Sequence, residues 1–176
     1  MKTIETSRLI LRPITEADAE DIFEYSKNDN VGVHAGWKAH ANIEETRELM
    51  SIIFLDKEGV YGIVLKESGK MIGSMGLIDD HKRENNKARM LGYAIGEEYW
   101  GKGYTTEAAK TLIEYGFKEL DLDLISAYCY PINMRSKRVL EKCGFQYEGT
   151  LRLAEERFDG VTLDNECYSI INKRKR

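Results

Sequence analysis

The sequence predicts a mixed α/β fold with substantial antiparallel pairing. Three observations carry that expectation. Apolar residues recur at helical spacing on one face from Tyr104 to Leu120: Ala108, Ala109, Leu112, Ile113, Gly116, Phe117 and Leu120. The runs Val60 to Lys66 and Met71 to Ile78 flank the turn signal Glu67-Ser68-Gly69-Lys70 and read as a hairpin. A third run, Lys87 to Gly96, enters a glycine-rich turn that opens a helix. No regular strand–helix–strand repeat runs through the chain, so an all-parallel sheet is not expected.

The elements follow in order. Arg8 to Arg12 alternates apolar and basic residues and reads as an edge strand ended by Pro13. Thr15 caps a helix, with Asp18 at the third helical position as in a capping box. Asn42 with Glu45 repeats the signal, and Leu49, Met50, Ile53 and Phe54 continue the stripe of a second helix. Asp79 to Asn86 is charged and polar, an exposed loop. Leu124 to Tyr130 is a strand. Asn133 caps a helix running to Cys143, with Gly144 as its C-cap. Phe145 to Ile171 reads as strands joined at Asp159-Gly160.

Composition excludes several classes. A chain of 176 residues with 42% hydrophobic and 32% charged residues suits one globular domain spanning 1–176. A net charge of −4 argues against general nucleic-acid binding. Cys129, Cys143 and Cys167 are an odd number without CxxC spacing, so neither a disulfide framework nor a zinc site is expected, and a cytoplasmic setting is. Each reads as a small core residue. Neither a signal-peptide run nor a membrane span is visible. The basic tail Lys173-Arg174-Lys175-Arg176 reads as a solvated end.

The strand–turn–helix at Leu91 to Ala108 is the stretch that points to chemistry. A helix start carries amides without intrahelical acceptors, and glycines let backbone approach a phosphate. A Walker loop fails, because Lys102 is followed by Gly103 rather than Ser or Thr. A dinucleotide fingerprint fails, because a third glycine is missing at Thr106 and no βαβ unit surrounds the turn. On spacing alone, a plain chain reversal stays open.

The rest of the chain bears on the choice. Thr6-Ser7-Arg8-Leu9-Ile10-Leu11-Arg12-Pro13, Gly92-Tyr93 with Tyr99-Trp100-Gly101-Lys102-Gly103-Tyr104-Thr105-Thr106-Glu107-Ala108, Asn133-Met134-Arg135-Ser136 with Leu140-Glu141-Lys142-Cys143-Gly144-Phe145, and Tyr147 to Arg152 with Asp164 to Tyr168 occur in that order. Together they resemble the GNAT superfamily of N-acetyltransferases, in the branch of the ribosomal-protein N-terminal and spermidine acetyltransferases. The resemblance implies a mixed, largely antiparallel sheet of about seven strands with about four helices, splayed between the fourth and fifth strands.

The same resemblance implies acetyl-CoA as donor, an amine as acceptor and no metal. It places the pyrophosphate on the amides of Gly101, Lys102, Gly103, Tyr104 and Thr105. Trp100 stands at the loop's first position, where the family usually has Arg or Gln. Tyr93, Ala94 and Ile95 would pair with pantetheine, and the Ile95 amide would polarise the thioester carbonyl. Asn133 and Ser136 match the family's second cofactor motif, with Ser136 placed as the acid at the cofactor sulfur. The plainer alternative for Asn133 is a helix N-cap alone. Glu155 matches a carboxylate of the ribosomal-protein branch and is the candidate base. Glu97 and Glu98, beside the loop and expected to be solvated, and His34 and His40 are weaker candidates. The acidic pairs Glu44-Glu45, Asp79-Asp80, Glu97-Glu98 and Glu155-Glu156 would attract a cationic acceptor or serve only as solubility charges. The acceptor is expected to be a protein α-amine such as that of a ribosomal protein. A small amine, or a non-catalytic acyl-CoA-binding role, is the alternative. A homodimer is compatible with the family.

Overall fold

The computed structural model describes residues 1–175, with eight strands and five α-helices among them. Strand β1 (Ile4–Glu5) pairs antiparallel with β2 (Leu9–Arg12), which pairs with β3 (Val60–Leu65). The segment read as an edge strand, Arg8 to Arg12, is therefore not the edge. A two-residue strand, too short to show any alternation, covers it.

Thr15 opens a 3-10 turn, Glu16–Asp18, that runs into α1 (Ala19–Ser26). The capping box forms: Thr15 N–H donates to Asp18 Oδ2 at 2.8 Å. Asp18 also takes a bidentate pair from Arg12, which holds its carboxyl below the usual range against its burial. Helix α2 (Asp29–Ala35) has no counterpart in the sequence reading. It is too short to display an apolar stripe, and Asn28 Oδ1 caps it by accepting from Asn30 N–H. Helix α3 (Ile43–Ile53) begins as expected, with Asn42 accepting from Glu45 N–H.

The predicted hairpin is β3 with β4 (Met71–Ile78). Beyond it come β5 (Ala88–Ile95), α4 (Tyr104–Lys118), β6 (Leu124–Cys129), α5 (Met134–Lys142), β7 (Gln146–Glu156) and β8 (Thr162–Ile171). Strand order is β1-β2-β3-β4-β5-β6-β8-β7. The parallel pairing of β5 with β6 covers only Ala88–Met90 against Leu124–Ser126, although β5 runs on to Ile95 and β6 to Cys129. With β1 set aside, β5 and β6 are the fourth and fifth strands, where the splay was expected. Gly144 follows α5 with φ 87°, the left-handed residue that ends it, and Gly160 turns the last hairpin at φ 79°. Lys173–Lys175 form a 3-10 turn, and Arg176, the end of the basic tail, lies outside the described residues.

The chain clusters into two compact units. One holds Met1–Gly76 with Tyr93–Ala108; the other holds Leu77–Gly92 with the chain from Ala109 onward. In the first, Ile22, Tyr25, Met50, Val64 and Met71 form a buried core against which Ala94 and Trp100 pack. Each such side chain contributes about 1.5–3 kcal/mol by leaving water. In the second, Leu112, Ile125 and Leu140 are fully buried. The segment read as an exposed loop, Asp79 to Asn86, contains a buried carboxylate. Asp80 accepts from Ser126 Oγ at 2.6 Å, Tyr128 Oη at 2.8 Å and Lys82 N–H at 2.9 Å. These donors hold its carboxyl below the usual range despite desolvation.

Candidate active site

In the first unit the glycine-rich loop joins β5 to α4. Gly101 and Gly103 have φ of 74° and 82°, which only glycine adopts without strain. Gly103 C=O accepts the first long helical bond, from Glu107 N–H at 3.0 Å, so α4 starts directly behind the loop. A Cβ on Gly101 would meet nothing within 4 Å, and one on Gly103 only Arg8 Nη2 at 3.5 Å. The backbone at Gly101 thus borders open space, and that at Gly103 meets only Arg8, at the positive end of a 15-residue helix, a fit for a phosphate.

The side chains near the loop hold it in place. Glu107, in the first turn of α4, accepts from Thr6 Oγ1 at 2.6 Å, Ser7 Oγ at 3.0 Å, Arg8 N–H at 2.9 Å and Arg8 Nε at 2.7 Å. Those donors pull its pKa down to about 2, against the desolvation that opposes them. Arg8 continues to the loop, donating from Nη1 to Lys102 O at 3.1 Å and lying 4.4 Å over the Tyr104 ring. Trp100 Nε1 donates to Ile95 O at 2.9 Å. Its indole packs on the core and edge-on to His34, at 6.1 Å. A Cβ on Gly73 would fall 2.3 Å from Ala94 O and 2.8 Å from Ile95 Cα, so the absence of a side chain lets β4 lie against the end of β5.

The weaker candidates in this unit have structural partners. Glu97, expected to be solvated, accepts from Asn28 Nδ2 and Asn30 Nδ2, both at 2.7 Å, and so ties the start of α2 to the turn before the loop. Glu98 is exposed. His34 Nδ1 bonds Asn30 O at 2.7 Å. His40 Nδ1 bonds Thr46 Oγ1 at 2.9 Å, and desolvation lowers its pKa. Each acidic pair likewise has a bonded member: Glu45 accepts from Ala41 N–H, Asp80 is buried, Glu97 is held by asparagines and Glu155 by a tyrosine.

The second unit carries the remaining candidates. Asn133 caps α5, its Oδ1 accepting from Ser136 N–H at 3.1 Å. The Ser136 hydroxyl hydrogen-bonds Cys129, the last residue of β6. Burial, then the nearby Glu166, pushes the Cys129 thiol up to about 11, so it stays protonated at neutral pH. Glu166 is paired with Lys137 at 2.8 Å and accepts from Tyr168 Oη at 3.1 Å. Glu155 accepts from Tyr130 Oη at 2.6 Å and from Asn165 Nδ2 at 3.3 Å. Burial, then that carboxylate, drives the Tyr130 pKa upward. The three cysteines are free thiols; Cys129 and Cys167 are buried and Cys143 half-buried. Among the described residues no group of three or more His, Cys, Asp or Glu is arranged to hold a metal ion. Nor is any helix among them long and apolar enough to cross a membrane.

Sequence reasoning assigned no role to Glu107, Gly73 or Tyr130. Glu107 stood inside the quoted loop motif and Thr6-Ser7-Arg8 inside the quoted opening motif. Only folding shows that the two meet.

Known proteins are similar to this chain in sequence and in fold. The acetyltransferase (GNAT) domain family matches residues 8–146. The chain belongs to the GNAT acetyltransferase family. An uncharacterized N-acetyltransferase of Bacillus subtilis (strain 168), YoaA, is 35% identical over 179 residues, 98% of each chain. The ribosomal-protein-S5-alanine acetyltransferase of Vibrio fischeri is 25% identical with a TM-score of 0.80, covering all of both chains. The microcin C7 self-immunity acetyltransferase MccE, in complex with acetyl-CoA and AMP, is 26% identical with a TM-score of 0.81 over 94% of this chain and 93% of that one. This GNAT chain is thus an acyltransferase by family, and the family uses acetyl-CoA as donor.

Proposed function

We propose that this GNAT enzyme acetylates a protein N-terminal α-amine, of the kind a ribosomal protein presents. The observation that carries the proposal is the whole-length likeness to a ribosomal-protein-S5-alanine acetyltransferase, joined to the phosphate-shaped loop. Amides of Gly101, Lys102, Gly103, Tyr104 and Thr105 take the pyrophosphate. Tyr93, Ala94 and Ile95 take the pantetheine arm. The neutral amine attacks the thioester carbonyl, and the Ile95 N–H supports the charge that gathers on oxygen. Gly73 lets β4 approach Ala94 O, in the same peptide as the Ile95 N–H, and Trp100 holds the next peptide through Ile95 O. The carbon–sulfur bond breaks, and the Ser136 hydroxyl, at a helix start set by Asn133, gives a proton to the departing sulfur and recovers one from water. Glu155, oriented by Tyr130 and Asn165, accepts the proton the amine loses, directly or through water. No step needs a metal or a covalent enzyme intermediate, and Cys129, Cys143 and Cys167 have no chemical role.

A second reading, acetylation of a small amine, rests on the comparable likeness to MccE, which was solved with acetyl-CoA and AMP. The test has two stages. Calorimetry with acetyl-CoA, against NAD and ATP, should show selective binding of acetyl-CoA; absence of binding by folded protein would overturn the site. A panel of N-terminal peptides, polyamines and amino acids, read by thiol release, should then favour peptides. Turnover of polyamines or amino acids alone would replace the first reading by the second. Binding without turnover of any amine would instead indicate a non-catalytic acyl-CoA-binding domain.

A further inference from the structure

We infer that Arg8 is a phosphate-contacting residue of the loop, adding a side-chain charge to a grip otherwise made by backbone. The inference rests on the acetyl-CoA reading of that loop and deepens it. Arg8 lies outside the loop in sequence, on the segment before β2, and reaches it in space. Glu107 fixes the guanidinium through Nε at 2.7 Å, Lys102 O holds Nη1 at 3.1 Å, and the Tyr104 ring lies 4.4 Å beneath the guanidinium carbon. With those three contacts made, Nη2 is the nitrogen left facing the loop, 3.5 Å from where a Gly103 Cβ would stand. A Cβ on Gly101, two residues away in the same loop, would meet nothing within 4 Å. The Arg8 side chain stays 46% exposed, so a ligand can reach it.

Charge supplies the second reason. Glu107 is a carboxylate in the first turn of the helix that would meet the pyrophosphate, and its donors keep it ionised at every working pH. An uncompensated carboxylate there would repel a polyanion. Arg8 cancels it and, with Nε and Nη1 committed, leaves Nη2 to offer a charge-assisted N–H to a phosphate oxygen. Arg8 therefore does two things: it braces the loop through Lys102 O and presents Nη2 to the phosphate.

The experiment compares acetyl-CoA with S-acetylpantetheine, which carries the same reactive arm and no phosphate. Affinities are measured by calorimetry for the first and by ligand-observed NMR for the second, on wild-type protein, Arg8→Met and Arg8→Lys. Arg8→Met should weaken acetyl-CoA about tenfold, the scale of one charge-assisted hydrogen bond, and leave S-acetylpantetheine unchanged. Arg8→Lys, which keeps the charge and loses the guanidinium, should fall between; it also serves if the Met variant does not fold. An acetyl-CoA loss in Arg8→Met that is the same at low and at high salt would make Arg8 a brace only and overturn the inference, since a direct charge contact is screened by salt. So would unchanged acetyl-CoA affinity in both variants. Failure of the wild type itself to bind acetyl-CoA would instead bring down the reading of the loop.

Discussion

Around the glycine-rich loop, the groups assigned to the ligand are mostly backbone amides, and nearby side chains are spent on holding that backbone still. Glu107 collects four donors from residues about a hundred positions away, and Trp100 gives its indole N–H to Ile95 O. Around α5, β7 and β8 the assignment reverses. The candidate groups there are side chains, Ser136 and Glu155, and what holds them is other side chains, Cys129, Tyr130 and Asn165. Strand β7 is also exposed along nearly its whole length, with Leu151 and Leu153 turned to solvent. A backbone site tolerates changes in its own side chains but depends on φ and on its braces. A side-chain site keeps its backbone under substitution and loses chemistry instead.

That contrast is testable, and the largest effect should come from the brace. Glu107→Gln should cost about 3 kcal/mol of stability near neutral pH, the worth of lowering a carboxylate from 4.5 to about 2. Because the folded-state pKa is depressed, that stability is fully present above about pH 4.5 and is lost as pH falls toward 2. Urea denaturation across that range should show a steeper slope in wild-type protein than in the variant, which keeps the contributions of Asp18 and Asp80; parallel curves would mean the donors do not bind Glu107 as described.

The next effect tests the backbone itself. Gly103→Val forces a β-branched residue to φ 82° and puts methyl groups in the cradle. Acetyl-CoA affinity should drop about 100-fold, from the strain and the lost space together. Calorimetry showing unchanged affinity would remove the phosphate from this loop.

Smaller effects are expected from single side chains. Ser136→Ala should lower kcat about tenfold while acetyl-CoA affinity stays within about twofold, the pattern of a group used in the transition state. Loss of affinity with kcat intact would make Ser136 a binding residue only. Trp100→Phe keeps the ring and removes the donor to Ile95 O. It should cost about 1 kcal/mol, seen as a melting temperature lower by a few degrees. No change in either stability or kcat would show that the peptide after Ile95 is held without it.

The sequence made some parts of this structure legible and hid others for physical reasons. The long apolar stripe announced α4, and the caps at Asn42 and Asn133 formed where their spacing placed them. Such signals are local: a helix face and an N-cap depend on residues within about one or two turns. Helix α2 and strand β1 gave no signal, because a seven-residue helix and a two-residue strand are too short to show a period. Asp80 looked like loop charge until Ser126 and Tyr128 supplied hydroxyls to it. Glu97 looked solvated until α2, itself unseen, supplied two asparagines.

By itself, then, the sequence determined the mixed sheet, the strand–glycine–helix order and the order of motifs that marks the family. Each is written in residues close together along the chain or in their succession. Tertiary structure alone decided that Glu107 grips Thr6, Ser7 and Arg8, that Arg8 reaches Gly103, that Gly73 lies under Ile95 and that Tyr130 orients Glu155. Those contacts join segments remote in sequence. Their energies come from desolvation and paired hydrogen bonds, which exist only after the strands have set the distances.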